Sequence, residues 1–587
     1  MSGHRSPRAM QAVLAMVLAP MGVVGCHAGT PDVQAQPRQV RINQLGFAPG
    51  AQKLVVVESP AQAGFQVLAE GRRKPVLEGR LGEAATWEPA GRQAAVADLS
   101  ALRAPGRYRV QVDGLPPSDP FEVRPDAYEG VAVAALKAFY FNRAGTALDP
   151  AQAGQWARPA GHPDDSVLVH ASAASAARPA GTRISAPRGW YDAGDYGKYI
   201  VNSGITMWTL LAAWEHYPEF FRNRDAGIPE SGNAVPDILD ESMWNLQWML
   251  DMQDPADGGV YHKLTTLQFS GAVMPHEDTA DRYVVAKSTA ATLDFAAVMA
   301  MASRVYAPYE AQFPGLPARM AAAARSAWAW AKSNPEAVYR QPEDVGTGAY
   351  GDSMLEDEFA WAAAELFLLT GEAAYWDAFV DNAGTPDVPS WAGVRTLGWS
   401  SLAHHLQRLP DEEARGFVSA GVLGLARELQ QRQAGSPWKV ATRAEDFRWG
   451  SSSTVLNQAL VLLQGYRLEG TRAMLDAAQS QLDWVLGRNP LGVSLVTGHG
   501  LRTPMHVHHR PSQADGIDAP VPGWLSGGPN PGQQDAKECP VPYPSSLPAL
   551  SWLDHDCSYA SNEVAINWNA PLVYVAAAVQ ALTPGPH

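Results

Sequence analysis

Residues 126–145, "DAYEGVAVAALKAFYFNRAG", mark the point at which the hydrophobic period of the chain changes. Upstream, from 38 to about 125, short apolar runs such as "KLVVVES" (53–59), "GFQVLAE" (64–70) and "GRYRVQV" (106–112) are punctuated by Gly, Pro and Asp. Their spacing of about ten residues is that of a small β-sandwich. Downstream, Ala-, Leu- and Trp-rich stretches recur with helical spacing and with Gly or Pro near their ends, among them "ITMWTLLAAWEHY" (205–217), "TAATLDFAAVMAMASRVY" (289–306), "TVLNQALVLLQGYRL" (454–468) and "APLVYVAAAVQALT" (570–583). The chain is expected to be mainly α, a helical array preceded by a small all-β domain. No heptad repeat, phosphate-binding Gly loop or twenty-residue apolar span interrupts the array, which removes coiled-coil, nucleotide-binding and polytopic membrane readings.

The length, 587 residues with 46% hydrophobic, is too great for one ordinary core and calls for two domains. Forty-five basic against 60 acidic residues leave a formal charge of −15, which argues against an electrostatic grip on nucleic acid or anionic lipid and suits a neutral substrate. The 19 Trp and 18 Tyr pack cores first, but flat amphipathic rings also stack on the apolar faces of sugars. At the N-terminus, Arg5 and Arg8 precede a short apolar run, the layout of a secretory signal. That run ends in "VVGC" (23–26), which resembles a bacterial lipobox with Cys26 as the lipidated residue; an ordinary signal-peptidase site is the alternative. His27 after the cysteine favours outer-membrane sorting by the same resemblance. Residues 1–25 are thus read as a lipoprotein-type signal, 26–37 as a linker, 38–125 as the sandwich and 126–587 as the helical domain. The remaining cysteines, Cys539 and Cys557, are either a disulfide formed in an oxidising compartment or two free buried thiols.

Catalytic groups usually sit on connections held by a rigid scaffold. Three stretches break the helical pattern: "GWYDAGDYGKY" (189–199), "SLVTGHGLRTPMHVHHRPS" (494–512), and a Gly/Pro-rich tract ending in "CSYASNEVAINWNAP" (557–571). Cleaving a glycosidic bond needs one carboxylic acid to protonate the leaving oxygen and a second carboxylate to activate water or attack carbon. In "DAGD", Asp192 and Asp195 are separated by small residues, so a turn can aim both into one cavity. Glu563 is flanked by Tyr559, Asn562, Ile566 and Trp568, where partial desolvation would raise its pKa and keep it protonated. The bland alternatives are an Asp/Gly turn used for its backbone habits and a glutamate serving a helix N-terminus.

The segments "GWYDAGDYGKYIVNSG", "VPDILDESMWNLQWMLDMQ", "KSTAATLDFAAVMA", "YGDSMLEDEFAWAAAEL", "LGRNPLGVSLVTGHG", "HHRPS" and "YASNEVAINWNAPLVY", in this order, resemble glycoside hydrolase family 9, the family of many cellulases. "VRINQLGFAPGAQKLVVV" (40–57) resembles the immunoglobulin-like domain that precedes the catalytic domain in many bacterial members. The resemblance implies an (α/α)6 barrel and inverting hydrolysis of a β-1,4-linked glucan, with Asp195 as general base, Asp192 as its helper and Glu563 as general acid. An inverting pair sits roughly 6.5–9.5 Å apart, so that water fits beside the base. His508, His509 and Arg510 are implied to contact sugar, and Tyr559 and Trp190 are read as sugar-contacting rings, with walling of the "DAGD" turn as the alternative for Trp190.

No catalytic cofactor is expected. The resemblance implies a structural calcium at Asp357 and Glu358, with help from the backbone around Ser353; a charged helix N-terminus is the alternative. The later acidic ligand of many relatives is replaced by serines in "LGWSSLAHHL" (397–406). Zinc is not expected, because the stretch just before the "DAGD" loop, where relatives with the sandwich domain often hold a structural zinc through cysteines and histidines, offers only His162 and His170 and no cysteine. A zinc reading of His506 and His508, neighbours on one face of an extended strand, lacks a third ligand. The expected partner is a β-glucan or oligosaccharide, with no nucleic acid, membrane contact only through the anchor, and a monomeric state. Exo-acting β-glucosidase or glucosaminidase action on oligosaccharides is the alternative, and a non-catalytic sugar-binding lipoprotein the rival from another class.

Overall fold

The computed structural model describes residues 39–60 and 63–583. The expected signal and Cys26 lie outside the described residues. Two antiparallel four-stranded sheets form the N-terminal sandwich: β1 (Val40–Arg41), β2 (Leu54–Glu58), β6 (Arg92–Asp98) and β5 (Ala85–Trp87) in one, β4 (Leu77–Arg80), β3 (Gly64–Ala69), β7 (Gly106–Val112) and β8 (Phe121–Val123) in the other. Period-two alternation places the core between them: β3 buries Phe65 and Val67 and exposes Gln66, and β7 buries Tyr108, Val110 and Val112.

From residue 129 onward the described chain contains twelve helices of ten or more residues: α1 (Glu129–Phe141), α2 (Ile200–His216), α3 (Asp237–Asp251), α4 (Thr289–Tyr306), α5 (Leu316–Ser333), α6 (Glu356–Thr370), α7 (Ala373–Asn382), α8 (Arg395–His404), α9 (Glu412–Gly435), α10 (Ser451–Glu469), α11 (Arg472–Val485) and α12 (Ile566–Leu582). The even-numbered helices pack in sequence, α2 on α4, α6, α8, α10 and α12, and α12 closes back on α2. The odd-numbered helices pack outside them. This is the expected (α/α)6 barrel.

The inner and outer rings differ in composition for a physical reason. Every residue of α4 except Arg304 is buried, and α12 is buried from Ile566 to Val579; a helix that meets protein on all sides cannot be amphipathic. Its small residues let neighbours approach: a Cβ added at Gly398 on α8 would lie 3.0 Å from the backbone of Trp361 on α6. The outer α9 instead buries a stripe, Ala414, Val418, Val422, Ala426 and Leu429, at helical spacing.

The connections around α2 and α3 build a five-stranded sheet, ordered β10 (Arg183–Ile184), β9 (Val167–Val169), β13 (Tyr283–Lys287), β12 (Tyr261–Thr265), β11 (Lys198–Tyr199). Strand β11 leads directly into α2, so this sheet fixes the end of the "DAGD" segment. The sandwich packs on the barrel through the Trp87 and Trp438 rings, 5.7 Å apart, and through Asn43 Nδ2, which donates to Asp483 on α11 at 2.7 Å.

Candidate active site

All six inner helices enter the barrel from one end, and the loops leading to their N-termini line a cavity of about 1000 Å³. Asp195 and Tyr199 come from the approach to α2, Tyr350 from that to α6, Trp391 from that to α8, Trp449 from that to α10, and His508, Tyr559 and Glu563 from that to α12. The positive ends of these helices therefore point towards the cavity, a favourable setting for carboxylates.

The "DAGD" turn is held at both ends. Asp192 N–H donates to Gly197 O at 3.0 Å, Ile566 N–H donates to Asp192 O at 2.8 Å, and Gly194 O accepts from both Arg510 N–H (3.1 Å) and Arg510 Nη1 (2.8 Å). Asp195 Oδ2 accepts from Gly197 N–H at 2.9 Å and from the Tyr199 hydroxyl at 3.2 Å. Oδ1 takes no protein donor among the described residues. Asp192 is fully buried and does not line the cavity. Its two oxygens accept from Asn202 Nδ2 at 2.9 and 2.8 Å, and Oδ2 also from Tyr350 OH at 3.0 Å. Burial, reinforced by the charge of Asp195, pushes the Asp192 carboxyl up to about 8.

Glu563 meets this turn from the other side of the chain. Gly194 N–H donates to its Oε1 at 3.3 Å, and residue 563 forms a β-bridge with His508. Burial holds the Glu563 carboxyl well above the usual range, and the charges of Asp195 and Asp192 add to that shift. The two acids that share the cavity thus occupy unlike environments: one has an oxygen tied to two donors, the other is desolvated and repelled by its neighbours. This is the pattern that separates a base from an acid.

Of the expected sugar contacts, His508, Arg510 and Tyr559 line the cavity. His508 Nδ1 donates to Asp556 O at 2.6 Å, and burial holds the ring below its ordinary pKa, leaving Nε2 as a neutral acceptor. Arg510 spends Nε on Ser270 O at 2.8 Å as well as Nη1 on Gly194 O, so it braces the turn as much as it faces the cavity. The Tyr559 ring lies 5.3 Å from that of Trp449, tilted by 33°. Cys539 and Cys557, 18 residues apart, are disulfide-bonded, and this bond ties Glu538 of the cavity wall to the Tyr559 segment.

Two expected contacts lie elsewhere. His509 is buried behind the cavity, with Nδ1 at Ser512 Oγ (2.9 Å) and Nε2 at Asn142 Oδ1 (3.1 Å). Successive side chains of an extended segment point to opposite sides, so His508 and His509 cannot both face substrate. Trp190 is buried against Phe139, ring centroids 4.7 Å apart, and donates Nε1 to Glu241 at 2.8 Å. It walls the turn. Trp391 and Trp449, which no sequence motif singles out, are solvent-accessible rings in the cavity; their position just before an inner helix is the available signal.

The family described as "Glycosyl hydrolase family 9" matches residues 128–576, and "Cellulase N-terminal ig-like domain" matches residues 35–116. The chain belongs to glycosyl hydrolase family 9. Within family 9 it is 41% identical over 572 residues to the xyloglucan-specific endo-beta-1,4-glucanase BoGH9A of Bacteroides ovatus, spanning 94% of this chain and 96% of that protein. Among solved structures it is similar to Bacteroides ovatus GH9, with a TM-score of 0.86 and 40% identity over 93% of this chain and 99% of that one. It is also similar to AaCel9A in complex with cellobiose-like isofagomine, with a TM-score of 0.84 and 32% identity over 92% of this chain and 100% of that one. The chain is a glycoside hydrolase.

The residues implied for a family 9 calcium fall at the N-terminus of α6. No three His, Cys, Asp or Glu side chains among the described residues stand at metal-binding spacing. Yet Asp357 Oδ1, Glu358 Oε2, Asp352 Oδ2 and both oxygens of Asp294 on α4 are buried without hydrogen-bond partners. Burial and the charges of Asp357 and Asp352 push Asp294 and Glu358 well above the carboxylate range. Such a group of orphaned hard oxygens fits a cation. Asp294 was not anticipated, and Ser353 is exposed on the loop entering α6. His162 pairs with Asp278 (3.3 Å) and Tyr191, and His170 with Asp344 (3.1 Å) and Ser172.

Proposed function

We propose that the chain is an endo-acting, inverting β-1,4-glucanase, with Glu563 as general acid and Asp195 as general base. The supporting observation is the placement of these two unlike carboxyl groups in one open cavity flanked by the Trp391, Trp449, Tyr559 and Trp568 rings. Its volume of about 1000 Å³ stands at the top of the range of about 300–1,000 Å³ typical of small-molecule sites, and the aromatic faces suit a run of sugar rings.

In this reading, protonated Glu563 gives its proton to the glycosidic oxygen as the bond to the anomeric carbon breaks. Water attacks that carbon from the opposite face and loses a proton to Asp195 Oδ1, while Gly197 N–H and Tyr199 OH hold Oδ2. The sugar leaves with inverted configuration, Glu563 ends ionised, Asp195 ends protonated, and solvent resets both. Asp192, buried and fully hydrogen-bonded, anchors the turn and Tyr350. A soluble β-1,4-glucan backbone is the substrate class, with xyloglucan a member to test because the relative BoGH9A is named for it.

Glu563→Gln keeps the shape and removes the proton; kcat on cellopentaose should fall by about 10²–10⁴-fold. NMR of the first product should show the α-anomer, and a β-anomer would refute Asp195 as a base. Product profiles from xyloglucan, carboxymethylcellulose, cellopentaose and chitosan oligomers separate endo from exo action and glucose from glucosamine.

We also assign a structural calcium to Asp294, Asp352, Asp357 and Glu358, where it would neutralise buried carboxylates and tie α4 to α6. The "VVGC" run supports export with a lipid on Cys26, a reading that an unlipidated mature N-terminus by mass spectrometry would overturn. The chain is read as a monomer.

A further inference from the structure

Lys263 on β12 is wholly buried, and its ammonium contacts only neutral acceptors: Gly348 O at 2.7 Å, Gln341 Oε1 at 3.1 Å, and Thr347 Oγ1 and O at 3.3 and 3.4 Å. A buried cation without a carboxylate in contact is unfavourable unless a charge nearby compensates it. The carboxylate that acts on it is Asp195. The strands explain the link. Lys263 is the cross-strand partner of Tyr199, its Nζ stands 5.7 Å from the centre of the Tyr199 ring, and the Tyr199 hydroxyl donates to Asp195 Oδ2. A cation over a phenol ring makes its hydroxyl a better donor. The same ammonium fixes Thr347 and Gly348, which lead to Tyr350, the donor to Asp192.

We infer that Lys263 is a positioning residue whose buried charge, set against the Tyr199 ring, strengthens the Tyr199 hydrogen bond that holds the Asp195 carboxylate. This rests on Asp195 being the base. The groups that face Asp195 are Asp192 and Glu563, the Tyr199 and Tyr350 hydroxyls, the His508 ring and the Lys263 ammonium, while Arg510 acts on Glu563. Arg510 is partly exposed and bound to two backbone carbonyls; Lys263 is shielded from solvent, so its field is screened less. Burial lowers the Lys263 amine to about 7, so its charge is present on the acid side and fades as pH rises through neutrality.

The test is the pH dependence of kcat/KM on cellopentaose for Lys263→Met, Lys263→Arg, Tyr199→Phe and Asp195→Asn. Lys263→Met should move the acid limb up by about one pH unit, roughly a tenfold loss on the acid side with little change on the plateau. Lys263→Arg, which keeps the charge, should lie nearer the wild type. Tyr199→Phe, which removes the donor itself, should shift the limb in the same direction, and Lys263→Gln takes the place of Lys263→Met if the latter does not fold. An unshifted limb in folded Lys263→Met, or equal shifts for the Met and Arg variants, overturns the inference. An active Asp195→Asn enzyme would instead overturn the base assignment, whatever Lys263 does.

Discussion

Gly194 is the residue on which the two halves of the proposed catalytic pair depend, and Gly194→Ala perturbs it with one carbon. A Cβ there would stand 2.4 Å from the His508 carbonyl oxygen, 2.9 Å from His508 Cδ2 and 3.1 Å from Glu563 Oε1, where ordinary contact begins at 3.4 Å. The turn and the His508–Glu563 segment must therefore part by 3.4 − 2.4 = 1.0 Å. No side-chain rotation relieves this. The obstacle is backbone, and both backbones are pinned, Gly194 O by Arg510 and His508 N–H by Asn562 O at 3.0 Å. A displacement of about 1 Å at reacting groups costs about 10²-fold in rate, or about 2.7 kcal/mol of barrier. We expect kcat on cellopentaose to fall about 100-fold, KM to change much less, and the melting temperature to drop by a few degrees. Gly416→Ala, on an exposed face of α9 with nothing within 4 Å, is the control; it should keep full activity and gain up to about 1 kcal/mol of stability. A folded Gly194→Ala enzyme with kcat within a few-fold of the wild type would refute the close approach of Gly194 to Glu563.

Calcium should raise the melting temperature, and the effect should grow with pH. Asp294 and Glu358 have folded-state pKa values raised above their unfolded ones, so in chelator their contribution is full below the unfolded value of about 4 and is lost as pH rises towards the folded values. Calcium at a hundredfold excess over its Kd should restore about 2.7 kcal/mol, and thermal melts in EDTA and in calcium at several pH values check both signs; identical melts would rule the site out. Replacing Cys539 and Cys557 together by Ser opens a bridge spanning 18 residues and should cost about 3 kcal/mol on the chain-entropy account. Because the bridged segments carry Glu538 and Tyr559, KM should rise more than kcat falls, as steady-state kinetics on cellopentaose would show.

The adjacent histidines illustrate where sequence stops being informative. "HHR" marks a site-forming segment, but which ring faces substrate depends on strand phase, set here by the hydrogen bond from His508 N–H to Asn562 O. Once that register exists, alternation sends His509 to Asn142 and leaves His508 at the cavity. Trp190 carried the same ambiguity, because a ring beside a catalytic turn serves as well for wall as for contact. Nothing in "YHKLT" singles out Lys263; its importance arises only from pairing with Tyr199.

What the order of residues determined was local. Helical spacing specified the inner and outer helices, alternation specified the sandwich strands, and Gly and Asp specified the turn that carries Asp195, since each depends on neighbours within a few positions. Tertiary closure of the six inner helices decided what is non-local: it brought Glu563 to Gly194 across the chain, gathered Asp294 with Asp352, Asp357 and Glu358, and placed Lys263 beneath Tyr199. Those meetings shift the pKa values through burial and through the fields of residues distant in sequence.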